Sequence, residues 1–557
     1  MESKVWLKNY PSYVPHDFEI ERITLGEMLT RTAEKFPDKT ALDFMGTQIS
    51  YRQLEKEIDQ FANVLRKLGV KRGDKVVVLL PNMPQQIIAF HSIWRVQAIL
   101  VPCNPLYTDT ELEYLFNDSG STVLVTLDLL APRMLQLRES THIKTIITAH
   151  LNDYLSSPLK EALAQNQGMH VPYEPADHYY VFVTLMETAP DWSDNTTYAP
   201  MDTLAMLPYT GGTTGIPKGV ILTHANISAS AQMGMVWFDH LDENEIVLSG
   251  FPFFHVAGFC MGLNISVGKG WTNVLIPRPD PELFLNTWQQ CNATIVGALP
   301  ITFYKMIALP GFKNTDFSSI KFFISGGTAV PVDLMDTMEQ ITGKTLREGG
   351  GMTETAGLNY IVPITGPYKK GSCGLPAPKT QSRVMDPETG TRELPIGEIG
   401  ELVSRGPHVM QEYYNNPEET KNVLRDGWLY TGDIARLDED GYLYITSRKK
   451  DIIIASGYNI YPREIDEVLI RHPKVEMACA IGVPDQKRGE TVKAFVVPIQ
   501  GADLDEKDLD AFCREHLAAY KVPKSYEFVD SLPVSAIGKV LRKEVRAMEL
   551  QNRNTSD

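Results

Sequence analysis

Tyr209-Thr210-Gly211-Gly212-Thr213-Thr214-Gly215-Ile216-Pro217-Lys218-Gly219 is the stretch on which the reading of this chain turns. It follows the short apolar run 204–207, so the loop leaves a predicted strand, and open α/β sheets gather their ligands at the carboxyl ends of strands. Three glycines let backbone N–H groups approach a phosphate closely. Thr210, Thr213 and Thr214 add hydroxyl donors, and Lys218 adds a mobile positive charge. That inventory suits a polyphosphate. It is not the common nucleotide loop, which needs Gly-Lys-Ser/Thr, because here Pro217 precedes Lys218 and Gly219 follows it. An ordinary surface turn is the competing reading of the loop taken alone.

Outward from the loop, helix and strand patterns alternate. Upstream, apolar spacing predicts helices over 25–35, 51–68, 86–93 and 109–117, with strands over 41–44, 76–80, 98–102 and 122–126. Downstream the same alternation gives strands at 245–249, 295–298 and 320–325 and a proline-started helix at 281–290. The class is therefore α/β. After about Ser447 the pattern becomes a compact α+β unit. A helix opens at Pro462 with Ile465, Val468 and Leu469 on one face, strands follow at 475–483 and 492–498, and another helix covers 506–517. The charged join Ser447-Arg448-Lys449-Lys450-Asp451 reads either as a solvated linker or as a hinge. The polar tail 551–557 reads as frayed.

Composition sets limits. A chain of 557 residues exceeds one ordinary core, which predicts a large subdivided domain and at least one smaller one. Its formal charge of -16, from Lys+Arg 53 against Asp+Glu 69, argues against nucleic acid or an anionic bilayer as the main partner. The start, Met1 to Lys8, has no uninterrupted apolar core, and the apolar region 76–101 is broken by Pro81, Pro84, His91 and Arg95. A cytoplasmic protein without stable membrane insertion is expected, with transient membrane contact and a homodimer left open. Six scattered cysteines lack metal-ligand spacing and read as reduced structural thiols, so no zinc site is expected.

The loop 209–219 resembles the signature of adenylate-forming enzymes, the superfamily of acyl-CoA synthetases, firefly-type luciferases and peptide-synthetase adenylation domains. Its Gly211-Gly212 form is most similar to bacterial long-chain fatty acyl-CoA synthetases. Further motifs follow in order. Gly349-Gly350-Gly351-Met352-Thr353-Glu354-Thr355 is similar to the second family motif, and Gly427-Trp428-Leu429-Tyr430-Thr431-Gly432-Asp433 to the ribose motif. Pro533-Val534-Ser535-Ala536-Ile537-Gly538-Lys539-Val540 is similar to the terminal catalytic motif. The likeness runs from Trp6-Leu7 to about Lys539, nearly the whole chain.

The resemblance implies a large N-terminal domain over 1–447, a hinge at 448–450 and a small mobile C-terminal domain over 451–557. It also implies ATP, Mg2+ and coenzyme A. Thr210, Gly211, Gly212, Thr213, Thr214, Gly215 and Lys218 would cradle phosphates, with Gly326, Gly327, Gly350, Gly351, Met352 and Thr353 beside the nucleotide. Glu354 and Thr213 would hold the metal, a hard ion suited to oxygen ligands. Asp433 would accept both ribose hydroxyls, and Arg448 would hold ribose or phosphate. His255, in Phe251-Pro252-Phe253-Phe254-His255, would orient the acid, with Val256, Ala257, Gly258 and Met261 as walls for its alkyl chain. For an isolated histidine in such apolar company, a satisfied core residue is the competing reading. Lys539 would neutralise charge during adenylation. Lys450 would be the pivot that brings Ser456 and Gly457 inward for the thioester step.

The implied function is a long-chain fatty acid–CoA ligase. ATP and the acid give acyl-AMP and pyrophosphate, then coenzyme A gives acyl-CoA and AMP. A medium-chain or aryl acid is the nearest alternative. Transfer to another acceptor, or a non-catalytic nucleotide-binding scaffold, is more remote. One departure stands out: the family has an aromatic ring where this chain has Gly350. Weaker ATP binding is therefore expected, unless another ring such as Tyr360 covers the base.

Overall fold

The apolar runs Lys75–Leu79, Ile99–Pro102, Val123–Leu127 and Thr145–Ala149 are almost entirely buried, the condition under which parallel strands with both faces covered are stable. The computed structural model describes residues 4–157, 160–161, 177–189, 198–210, 217–278, 280–366, 368–456, 458–485, 487–535 and 539–554. The four strands belong to a seven-stranded sheet, completed by Leu204–Met206 and the antiparallel edge Leu222–Thr223 on one side and Tyr179–Val181 on the other. The helix Pro84–Arg95, buried along its whole length, packs on the amphipathic helix Tyr51–Lys67 against this sheet.

A second sheet has nine strands. Its parallel centre runs Leu346–Gly350, Phe322–Ser325, Ile295–Gly297, Ile246–Ser249, Thr272–Leu275 and Thr40–Phe44, with antiparallel strands at both edges. A third, antiparallel sheet is built from Gln381–Met385, Gly400–Arg405, Leu424–Arg425, Trp428–Leu437 and Leu443–Arg448. The α/β alternation did not foretell this sheet.

The small domain is α+β, as expected. The long antiparallel pair Val475–Asp485 and Gly489–Pro498 carries Ile453–Ala455, Tyr458–Ile460 and Ser525–Phe528, flanked by helices Pro462–Ile470, Glu506–His516 and Arg542–Asn554. The last helix corrects one expectation, since residues 551–554 continue it rather than fraying. The two domains touch through Arg463, whose Nη1 donates to the Ile445 carbonyl at 2.7 Å. All six cysteines are free thiols, and burial pushes Cys260 and Cys479 up to about 12, so they are inert. No helix among the described residues is long and apolar enough to cross a membrane.

Candidate active site

Tyr209–Thr210 pairs antiparallel with Lys218–Gly219, Thr210 facing Lys218, so the glycine-threonine loop is closed at its base by the lysine. Gly211, Gly212, Thr213, Thr214 and Gly215 lie outside the described residues. The exit of the loop is fixed by chemistry local to the sequence. Thr223 and Asn226 form a reciprocal cap on the helix His224–Trp237. The Asn226 amide also donates to the carbonyls of Pro407 and Val409 at 2.9 and 2.8 Å. Segment 409–414 is thereby zipped along 219–221, with Ile221 N donating to Glu412 O at 3.0 Å and Tyr414 N to Gly219 O at 2.8 Å.

This zipper sets Tyr413 between two predicted site residues. Lys218 Nζ lies 4.5 Å from the Tyr413 ring centroid, and the Tyr413 hydroxyl donates to Glu354 Oε1 at 2.6 Å. Burial and the neighbouring Glu354 carboxylate keep that phenol protonated. Lys218 is further paired with Glu419 Oε1 at 2.5 Å, and this bond holds the Glu419 carboxyl below its usual range. Glu419 sits in the first turn of the helix Pro417–Val423, whose Asn416 cap accepts from its N–H. Neither Tyr413 nor Glu419 was named from sequence. The only local signal is Asn416-Pro417, which marks a helix start and says nothing of chemistry.

Glu354 occupies a short turn, Thr353–Thr355, tightened by Met352 N donating to Thr355 Oγ1 at 3.0 Å. Its carbonyl accepts from Met410 N at 2.8 Å, so the same zipper holds it. The side chain is buried and forms no ion pair among the described residues, although Arg448 feels its charge. A buried carboxylate of this kind has the donor chemistry that a hard divalent ion accepts. No group of three or more His, Cys, Asp or Glu among the described residues could hold a metal by itself, so such an ion would need nucleotide oxygens as well.

Strand Phe322–Ser325 ends at Gly326 and Gly327, side by side with Gly349 to Gly351. A Cβ on Gly326 would stand 2.1 Å from the Gly349 carbonyl oxygen, and Gly327 has φ +76, so both positions favour glycine where the two segments touch. The space above Gly350 is filled by the ring of Tyr360 from the adjacent strand.

Asp433 and Arg448 face each other on paired strands of the third sheet, with Nε to Oδ1 at 2.9 Å. Arg448 Nη1 also donates to the Thr431 carbonyl. Lys539 approaches this pair from the small domain. Its hairpin is closed by Ser535 N donating to Lys539 O at 2.8 Å and by Lys539 N donating to Ser535 Oγ at 3.1 Å. Arg542, three residues on, bonds the Ala480 carbonyl and Asp466 and so ties the hairpin to the domain. Lys539 stays open to cleft water, yet it is walled closely enough that desolvation, then Arg448, push its ammonium down to about 8.

His255 borders the same space. Desolvation and then the Lys539 charge push its imidazole down to about 4, so it is neutral at pH 7. Nδ1 accepts from Ala257 N at 3.3 Å, which leaves Nε2 as the protonated donor. After it the chain winds into a π-helix, Gly258–Asn264. Met261, with Phe251, Phe238, Trp271 and Phe322, lines an apolar crevice with about 20 Å³ open, room for about one water. Val256 is buried in a separate core cluster and does not line this crevice. Two larger hollows, about 500 Å³ each, contain none of the predicted site residues.

The structure thus gathers Lys218, Glu354, Asp433, Arg448, His255 and Lys539 around one cleft. Lys450 lies in the turn Lys449–Asp451 at the join, its ammonium lowered by burial. Ser456 does not join the cluster. It stands exposed at φ +53, its N–H bonded to the Arg488 carbonyl, and Gly457 beside it lies outside the described residues.

Residues 29–414 match the family model described as AMP-binding enzyme, and residues 464–539 match the AMP-binding enzyme C-terminal domain. The chain is 41% identical over 555 residues to a long-chain-fatty-acid–CoA ligase of Bacillus subtilis, covering 99% of each. It is 36% identical to the protein of the same name from Salmonella typhimurium over 98% of each. Among solved structures it resembles the anthranilate CoA ligase AuaEII in complex with anthranoyl-AMP, with TM-score 0.86 and 26% identity, covering 97% of this chain and 99% of that one. With two matching family models in order and full-length relatives above a third identity, the chain belongs to the AMP-binding, adenylate-forming enzymes.

Proposed function

We propose that this protein joins a long-chain fatty acid to the thiol of coenzyme A at the expense of ATP. The observation that carries the reading is the meeting of Lys539, from the small domain, with His255 and the Asp433–Arg448 pair of the large domain. In the first step the acid's carboxylate oxygen, already ionised at pH 7, attacks the α-phosphorus, and pyrophosphate leaves with the bonding electron pair. Neutral His255 donates from Nε2 to the incoming carboxylate without adding a charge to be neutralised. Lys539 and Lys218 balance charge as it builds on the phosphoryl oxygens and on pyrophosphate. Asp433 accepts the ribose hydroxyls, and Arg448 braces it. Glu354 and Thr213 would hold a Mg2+ ion brought with ATP, and that ion would supply Lewis-acid withdrawal of charge from the phosphates.

In the second step the sulfur of coenzyme A attacks the acyl carbonyl, AMP leaves, and the thiol proton passes to solvent. Lys539 and the pantetheine arm need the same face of the adenylate. Residues 451–557 are therefore read as a mobile unit that turns about 448–450, with Lys450 as pivot, to bring Ser456 and Gly457 inward. The cytoplasm is the compartment that fits free thiols and these substrates.

Pyrophosphate exchange into ATP, driven by straight-chain acids of increasing length and followed by coenzyme A addition, tests the reading. Exchange that rises toward long chains and ends in a thioester supports it, and no exchange with any acid overturns it. An aryl acid is the second reading, favoured by a crevice walled with aromatic rings and open for about one water. A long chain must displace those walls, whereas a single ring displaces few. Exchange driven by benzoate-type acids alone would select it.

A further inference from the structure

We infer that Tyr360 presents the flat surface on which the adenine of ATP rests, taking over from across the strand pair a task that Gly350 has no side chain to perform. The inference rests on the nucleotide site proposed above and assigns its base-binding residue.

Gly350 and Tyr360 are direct partners in the antiparallel pair formed by Leu346–Gly350 and Tyr360–Ile361. Side chains of directly opposed residues share one face of a sheet, so the space beside Gly350 is the space into which Tyr360 leans. A Cβ on Gly350 would lie 2.4 Å from Tyr360 Cε2 and 2.9 Å from both Cζ and the hydroxyl oxygen. The ring therefore lies across the bare Cα of the glycine, and any side chain at 350 would evict it.

Two further observations point to a ligand on its open side. First, the ring is braced from behind by the apolar cluster of Val384, Leu402, Ala435, Leu437 and Leu443 on the third sheet, so it is held rather than free to swing. Second, it stands within the fields of Asp433 and Arg448, the pair read as the ribose clamp. A base is bonded directly to the ribose that this pair would hold, so a half-buried aromatic face beside the clamp lies where the base must go. No described group bonds the Tyr360 hydroxyl, although tyrosine hydroxyls in such enclosed positions normally find a partner.

The test measures ATP binding by titration calorimetry on the full chain with Mg2+ and without acid or coenzyme A, so that failure of the ligase reading leaves it intact. Removing one base-stacking ring costs roughly 5- to 150-fold in affinity. Tyr360→Ala is expected to weaken ATP by that range while leaving inorganic tripolyphosphate binding unchanged, and Tyr360→Phe is expected to bind like the parent. Gly350→Tyr alone is expected to lose affinity, because two rings contend for one space. The exchanged pair Gly350→Tyr with Tyr360→Ser is expected to recover it. The inference is overturned if Tyr360→Ala binds ATP like the parent, or if ATP and tripolyphosphate weaken together. It is equally overturned if Gly350→Tyr is harmless, or if the exchanged pair gives no recovery in a protein that melts like the parent.

Discussion

The lowered ammonium of Lys539 predicts a falling limb in the pH profile of adenylation that is absent from thioester formation. With its proton held at about 8 rather than 10.5, the lysine is about 90% charged at pH 7 and about 10% charged at pH 9. If the reaction needs the charge, kcat/KM for acid-dependent pyrophosphate exchange falls about tenfold over that interval, since kcat/KM reports groups of the free enzyme. Water at the exposed lysine and the fields of Asp433 and Asp451 move the limb upward, while desolvation and Arg448 hold it below the ordinary lysine value. The perturbation is Lys539→Arg, whose guanidinium stays charged throughout, so any activity it retains is flat across pH 7 to 9. The companion assay supplies acyl-AMP and coenzyme A directly. There the rate should not fall, and it should climb as the attacking thiol ionises. His255, held at about 4, titrates far outside the window. A limb near 10.5, a limb that survives Lys539→Arg, or the same limb in both half-reactions would refute the reasoning.

Three other perturbations read separate parts of the cleft. Glu419→Gln frees Lys218 from its 2.5 Å partner. Removing this competitor for the lysine should tighten ATP about two- to fivefold by calorimetry, and weaker binding would mean that Glu419 positions the lysine instead. Gly326→Ala forces a Cβ to within 2.1 Å of the Gly349 oxygen. It should lower the urea midpoint by the equivalent of ~1–3 kcal/mol and abolish exchange, and an unchanged midpoint would show that the two turns can part freely. Glu348 is buried between Val330 N and Arg463, and desolvation pushes its carboxyl up to about 7 despite that arginine. A carboxyl raised on folding stabilises the fold fully below its unfolded value, and that contribution is lost as pH rises through 7. Glu348→Gln should therefore gain stability relative to the parent between pH 5 and 8, by up to about 3 kcal/mol, and a difference independent of pH would refute the assignment.

What could be read from the chain, and what could not, divides along the range of the interactions. Strands such as Lys75–Leu79 and Phe322–Ser325 are continuous apolar runs, and helices such as Leu25–Lys35 carry their own caps, so local pattern suffices to find them. The third sheet escaped because its strands bury polar residues such as Glu401, Ser404, Thr431 and Asp433 among apolar ones, which hides their period, and Gly432 breaks the longest strand with positive φ. Within the site, Lys218, Glu354, Asp433 and Lys539, the residues read as contacts to phosphate, metal or ribose, each follow a glycine closely in the sequence. The residues that hold them there do not. Tyr413 reaches Glu354 across 59 positions, and Lys218 reaches Glu419 across 201. Such contacts leave no local trace, since each half has an ordinary surface role when read alone.

The cations of the cleft are not equivalent, and the difference bears on how the cycle advances. Lys218 is matched to Glu419 and Arg448 to Asp433, so an arriving phosphate must displace or share a carboxylate, and much of the gain is cancelled in the ground state. Lys539 forms no ion pair among the described residues. Asp433 and Asp451 offset it only through their fields, so on the proposed cycle its attraction to the α-phosphate would grow as charge develops there, which is the differential that accelerates a reaction. The same lack of a partner makes its position costly once the negative load departs. With pyrophosphate gone, the ammonium keeps the fields of Asp433 and Asp451 and the single charge of the adenylate phosphate against Arg448 and its own desolvation, a weaker hold than before. On the proposed cycle, departure of pyrophosphate would thus loosen the hold of the small domain on the large one and favour clearing the face that the thiol needs.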